Sequence, residues 1–181
     1  EYYADGLVRF TNGGNYSLNT DSSFNGTVFV DTATTLNVPV YFPATMELVG
    51  TLAGAGQVGS ITGVSGSAVV TGNAGIGNLQ ATDLDFNSMG GTISYTVSDT
   101  GNSLVGTGLV LDGGLEANLN NAQLVINPVG TLTSQGTVLY LIDFTQGGSV
   151  GASRFTDSTG SVLAEDAQVT FGGKSGTLHY N

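Results

Sequence analysis

The chain has 181 residues and is strongly acidic, with fourteen Asp and Glu residues, three Lys and Arg residues and a formal net charge of −11. This charge repels phosphates, so it argues against nucleic acid and anionic membranes as partners. The absence of cysteine, together with a single histidine, excludes disulfides and sites for zinc, copper or iron, and no apolar run is long enough to span a bilayer.

The first predicted element is a strand that could be exchanged between subunits. It comprises Glu1, Tyr2, Tyr3, Ala4, Asp5, Gly6, Leu7, Val8, Arg9 and Phe10, in which small or apolar even positions alternate with the odd positions, and the flexible Asn12-Gly13-Gly14 follows. Two interpretations stay open: a first strand pairing within its own chain, or a self-association strand donated to the next subunit. Residues 1–14 are thus predicted to be a strand and linker before a single domain, residues 15–181.

Short strands separated by turns are predicted along that domain, which makes the chain all-β. The clearest alternation places Ile93, Tyr95 and Val97 on one strand face. Other strands are predicted at 16–18, 27–30, 35–42, 46–52, 56–61, 68–70, 78–86, 104–111, 115–119, 123–126, 138–144, 167–171 and 177–180. Glycine pairs such as Gly172-Gly173 mark the turns between them.

Residues 138–144 differ from the other predicted strands because they are apolar on both faces. Strands of this kind are covered on both sides, so a cap is predicted near residues 136–181. Residues 52–77 are rich in Gly and poor in bulky side chains, which suggests narrow, tightly turning coils.

The spacing of these strands fits either a β-solenoid or a β-sandwich. In a solenoid, coils of about 20–25 residues would stack, with apolar residues inward and Gly or Asn at the corners. The ends of such a stack are adhesive, because their backbone donors and acceptors are unpaired. Local pattern alone does not choose between the two architectures.

Residues 50–79 read GTLAGAGQVGSITGVSGSAVVTGNAGIGNL and resemble autotransporter-associated β-strand segments. The segments GGTISY at 90–95, LVGTGLVLDGGLEANL at 104–119 and GTVLYLIDF at 136–144 are similar to later parts of that family. The resemblance covers roughly residues 50–180, although the Pro residues common around the family's turn are missing. It implies a right-handed parallel β-helix with a β-rich C-terminal cap in an exported bacterial protein.

The candidate sites for chemistry are few. Asp83 and Asp85 lie two apart on one predicted strand and suggest a calcium site, as does the pair Glu165-Asp166, with solvated carboxylates as the alternative. His179 near the end of the chain is predicted to lie on an outward strand face, and one histidine leaves a catalytic triad implausible. Asn19-Thr20-Asp21 resembles one short motif of pectin-degrading hydrolases, but the companion motifs are missing, so no enzymatic activity is predicted.

These features predict a secreted structural subunit that self-assembles into an extracellular filament, sheath or matrix through strand edges. Its expected partner is a second copy of itself, and its expected location is extracellular or on a bacterial cell surface. The N-terminus lacks a basic region and a start methionine, so we expect a mature chain whose export signal has been removed. The alternatives are an adhesin module that binds surface polysaccharide and, third, a polysaccharide-degrading enzyme.

Overall fold

The computed structural model describes residues 6–22, 24, 26–72, 77–87 and 90–180. These residues form nineteen β-strands and no helix, which confirms the all-β prediction. Within the same residues, therefore, no long apolar helix of the kind that crosses a membrane is found.

In chain order the strands are β1 (Leu7–Phe10), β2 (Asn15–Ser17), β3 (Thr27–Val30), β4 (Thr35–Asn37), β5 (Tyr41–Phe42), β6 (Thr45–Leu48), β7 (Thr51–Gly54), β8 (Gln57–Val58), β9 (Ile61–Gly63), β10 (Ala68–Thr71), β11 (Leu79–Ala81), β12 (Leu84–Phe86), β13 (Thr92–Asp99), β14 (Leu104–Gly106), β15 (Leu109–Leu111), β16 (Gln123–Val129), β17 (Ile142–Phe144), β18 (Ala167–Phe171) and β19 (Lys174–Leu178).

Seventeen of these strands form three sheets that the chain visits in rotation. Sheet A has the order β1-β3-β6-β9-β12 and sheet C the order β5-β8-β11-β15-β17. Sheet B runs β2-β4-β7-β10-β13, with β16 in parallel and β14 antiparallel on β13. Every other pair in these sheets is parallel, which disfavours the sandwich alternative because sandwiches are built from antiparallel sheets. One circuit through the three sheets is called a coil below.

Parallel register stacks similar residues of successive coils into continuous rows. The inward row of sheet B is Tyr16, Leu36, Leu52, Val69, Ile93 and Leu124, and its members from Leu36 onward are buried. The neighbouring outward row is Thr35, Thr51, Ala68, Thr92 and Gln123. The alternation within each strand therefore becomes one core that runs through the stack.

A row on sheet A shows how side chains of different size are accommodated. Val30, Leu48, Gly63 and Phe86 follow one another in register. A Cβ atom on Gly63 would lie 2.6 Å from the Phe86 ring, so the missing side chain of Gly63 makes the space that the ring fills. A large residue in one coil is thus compensated by a small one in the next.

The coils are unequal in length. Successive members of the inward row of sheet B are 20, 16, 17, 24 and 31 residues apart. The two shortest coils begin at Leu36 and Leu52, so the Gly-rich residues 52–77 do include a narrow circuit, as predicted. The longest interval, from Ile93 to Leu124, includes β14, which pairs antiparallel with β13 and contributes no residue to the inward row.

The hairpin β18–β19 lies at the C-terminal end of the chain. Its turn is Gly172-Gly173, with φ angles of 55° and 73°, a conformation that glycine adopts readily, and this confirms the predicted turn. Leu178 of the hairpin is buried against the main core, together with Phe155. The continuous core therefore reaches this end of the chain.

Several sequence predictions are wrong here. The chain turns from one sheet to the next within five predicted strands, so each of them is divided into two strands: 35–42, 46–52, 56–61, 78–86 and 104–111. Within residues 138–144 only β17 is a strand, and Val138 and Tyr140 are 75% and 68% exposed, so the segment is not covered on both faces. The reason is that β17 pairs only with β15, and the hairpin β18–β19 stands apart from it across a groove. Residues 115–119 form single bridges through Glu116 and Asn118 instead of a strand.

Candidate interaction surface

Strand β1 is the end strand of sheet A among the described residues, and it presents apolar side chains at that edge. Leu7 is 54% exposed and Val8 is 40% exposed. Its one strand partner is β3, so the opposite edge of β1 pairs with nothing in the described part of the chain. Free edges of this kind are where a strand of another chain can add.

The predicted self-association strand is only partly visible at this edge. Gly6 and β1 are described, whereas Glu1, Tyr2, Tyr3, Ala4 and Asp5 lie outside the described residues. Val8 and Phe10 are in register with the buried Val28 and Val30, which agrees with the predicted alternation. The described part pairs within its own chain, and its role in self-association stays a prediction.

A large groove lies at the opposite end of the sheets, between residues 134–144 and β19. Its volume is about 1150 Å³. This exceeds the roughly 300–1,000 Å³ of typical small-molecule pockets. The floor between the two walls is apolar and includes Ile126, Val150, Phe155, Val169 and Phe171. The groove thus has the size and lining for an extended segment of polypeptide.

Both walls of the groove are extended segments with unpaired backbone. Residues 135–140 make no backbone hydrogen bond with any residue that the structure describes. Among the described strands, β19 pairs only with β18. Residues 173–180 all line the groove, whereas β18 contributes only Val169 and Phe171 to the described lining. The free edge of β19 therefore faces the unpaired segment across the groove.

The carboxylate of Asp99 fixes the start of the unpaired wall. It accepts hydrogen bonds from the hydroxyls of Thr133 and Ser134 at 2.8 and 2.6 Å, and from the backbone N–H groups of both residues. The backbone N–H of Gly101 also donates to it, at 2.7 Å. The bonds from Ser134, followed by those from Gly101 and Thr133, stabilise the ionised form and hold the pKa of Asp99 far below its usual range.

Replacing Asp99 with asparagine is expected to lower the melting temperature at pH 7. Because the pKa of Asp99 is depressed in the folded state, its contribution to stability is complete above the unfolded pKa of about 3.9 and is lost as the pH falls toward the folded pKa. The difference in melting temperature between wild type and Asp99→Asn should therefore become steadily smaller below about pH 4.

Thermal unfolding followed by circular dichroism at pH 7, 5, 4 and 3 checks this expectation. Glu47→Gln is the matched control, since Glu47 is exposed and its side chain makes no hydrogen bond with the described residues. Equal melting temperatures for wild type and Asp99→Asn at pH 7 would contradict the assigned role.

The acidic residues that the sequence analysis named as candidates make hydrogen bonds within the protein. Asp85 accepts a hydrogen bond from the Asn118 side chain at 2.9 Å, and Asp83 accepts one from the Leu84 N–H at 2.8 Å. The structure does not bring Asp83 and Asp85 together with a third acidic or histidine ligand among the described residues. Asp21, in the hydrolase-like triplet, accepts a bond from the Tyr41 N–H and so links two coils.

A cluster that sequence reasoning did not assemble joins Glu165, Asp166 and His179. The Nδ1 atom of His179 lies 3.2 Å from a Glu165 oxygen and 3.0 Å from an Asp166 oxygen. The second Glu165 oxygen accepts the backbone N–H of Tyr180, and all three clustered side chains are exposed. These bonds hold the C-terminal residues against the loop that precedes β18.

The groove and the Asp99 contacts were not identified from the sequence. The one available signal was the apolar run at 138–144, which was interpreted as covered on both faces. No family model matches the chain, and neither a curated protein nor a solved structure shows significant similarity to it.

Proposed function

We propose that this chain is an exported structural subunit that self-associates end to end into an extracellular filament, sheath or matrix. The observation that carries the proposal is the pair of unsatisfied surfaces at opposite ends of the sheets. One end presents the free, apolar edge of β1, and the other presents the groove with its two unpaired walls. Contacts between unlike ends of identical subunits generate open filaments when the rotation between successive subunits does not close a ring.

The distribution of charge supports association at these ends. A net charge of −11 makes most faces of two copies repel each other. Residues 6–18 contain Arg9 and no acidic residue, so this stretch adds no negative charge to the edge, whereas Glu1 and Asp5 precede it in the chain. The groove lining is also balanced, since in the part of the chain that the structure describes its only charged or titratable side chains besides tyrosine are Asp143, Lys174 and His179.

The finer architecture belongs to the same proposal. Three mostly parallel sheets with stacked aliphatic and threonine rows support a right-handed parallel β-helix of the kind that autotransporter-associated segments form. In this proposal the hairpin β18–β19 is the C-terminal cap, and the protein acts outside the cell.

Negative-stain microscopy and light scattering of the purified chain over a concentration series test the function. Wild type is expected to form ordered fibres. Leu7→Lys is expected to reduce them strongly, because a charged lysine on an edge strand opposes strand addition. Val64→Lys is the control, since Val64 is also exposed but lies outside the end strands.

Monodisperse wild-type monomers at high concentration would refute the subunit proposal. If those monomers bound a glycan array, the adhesin alternative would replace it. Fibres of Leu7→Lys as abundant as those of wild type would refute the involvement of β1.

A further inference from the structure

We propose that the groove between residues 134–144 and β19 receives the N-terminal strand, Gly6 to Phe10, of a second copy of this chain. The inserted strand would lie between the two unpaired walls and join them into one sheet. This inference rests on the proposed function and names the site at which one subunit holds the next.

The unpaired backbone groups on both walls of the groove can form hydrogen bonds with an inserted strand. Residues 135–140 are free of backbone hydrogen bonds in the described part of the chain, and β19 has a free edge facing them. A strand inserted between them can pair on both sides, as in β-augmentation. A small molecule would not satisfy two extended backbones of this length.

Exchange of β1 is favoured because that strand buries little in its own chain. Three of its four residues are exposed and the fourth is half-buried. In the groove, by contrast, Val8 and Phe10 would pack against lining residues that include Val150, Phe155 and Leu178, each less than a tenth exposed. Exchange of an identical element between copies is a low-cost route to assembly.

The β19 wall also contains a place for a side chain of the incoming strand. Gly176 on β19 lines the groove, and a Cβ atom there would meet nothing closer than the Phe171 ring, at 3.5 Å. Its φ angle is outside the left-handed region, so any residue can stand there without backbone strain. Because Gly176 has no side chain, a side chain of the incoming strand can occupy the space beside it.

Charge favours this occupant. Arg9 is the only Lys or Arg before residue 154, and Asp143 is the only acidic side chain that lines the groove among the described residues. Lys174 donates to the Thr133 carbonyl at 3.0 Å and is thereby held at one end of the wall. Residues 6–10 of the incoming strand thus bring a positive charge to a groove wall that carries the Asp143 carboxylate, in a chain whose net charge is −11.

The first test fills the groove. Gly176→Leu places a side chain on the β19 wall, and the control Thr170→Leu introduces a leucine on β18, at an exposed residue outside the groove lining. A fluorescent peptide of residues 1–10, with a scrambled peptide beside it, is titrated against each full-length protein by anisotropy. We expect Gly176→Leu to bind the peptide at least about tenfold more weakly than wild type and to lose fibres, whereas Thr170→Leu keeps both properties.

Tyr140→Asp is a second variant that leaves the monomer intact, because Tyr140 is exposed, yet adds a repelling charge at the groove wall. It should also weaken peptide binding. Two outcomes would refute the binding of the N-terminal strand in the groove but leave the proposed function intact: wild-type fibres together with undetectable peptide binding, or undiminished peptide binding by Gly176→Leu. Peptide binding without wild-type fibres would support strand binding in the groove and refute the proposed filament-forming function.

Discussion

Gly56→Ala is expected to destabilise the fold by about 3 kcal/mol, enough to unfold a marginal protein. A Cβ atom on Gly56 would lie 2.1 Å from the carbonyl oxygen of Val40 and 2.5 Å from its nitrogen, in the preceding coil. Both are backbone atoms, so no side chain can rotate away. Gly56 also donates to Val38 and accepts from Gln80, so moving it breaks bonds to the coils on both sides.

Gly106→Ala is the matched control for this substitution. A Cβ atom there meets its nearest neighbour at 3.5 Å, and the φ angle of Gly106 lies outside the left-handed region. We expect a change within about 1 kcal/mol, in the stabilising direction, because alanine restricts the unfolded chain. Urea denaturation followed by circular dichroism measures both variants, and a similar loss in each would contradict the steric argument.

Tyr95→Phe is expected to stabilise the protein by about 1–3 kcal/mol. The side chain of Tyr95 is completely buried, and its hydroxyl has no hydrogen-bond partner among the residues that the structure describes. Burial raises the pKa of this hydroxyl well above its usual range, so it stays neutral. Phenylalanine keeps the ring in the core and removes a polar group that was desolvated without compensation.

Thermal and urea denaturation of Tyr95→Phe, Tyr95→Ala and Tyr140→Phe separate the hydroxyl from the ring. Tyr95→Ala should cost about 3–5 kcal/mol, because it leaves a cavity. Tyr140→Phe, at an exposed position, should change stability by less than about 0.5 kcal/mol. A less stable Tyr95→Phe would show that the hydroxyl is bonded in solution.

Local chemistry was enough to predict an all-β chain and the buried face of its clearest strand, but not the corners that divide five of the predicted strands in two. The alternation at Ile93, Tyr95 and Val97 was confirmed, since all three are buried and the residues between them are only half-buried. The turn at Gly172-Gly173 was confirmed because a two-residue hairpin with positive φ angles selects glycine. Both signals depend on neighbours in sequence, which is why they could be read directly.

The features that depend on distant partners could not be predicted in this way. Coils of 16 to 31 residues give no fixed period in the sequence, so spacing alone did not distinguish a solenoid from a sandwich. The contact of Asp99 with Ser134 spans 35 residues and follows only from the stacking. The groove was missed because an apolar run does not reveal which of its sides is covered.

The stacked rows determine how the molecule is expected to lose coils from its ends. Each coil rests on the coils beside it through rows of the same character, with aliphatic residues such as Leu36 and Leu52 inside and threonines such as Thr35 and Thr51 outside. Nearest-neighbour stability of this kind lets a layer detach without collapse of the remainder. Erosion by a protease or by pulling would then proceed layer by layer, and each loss would expose a new terminus chemically similar to the one removed.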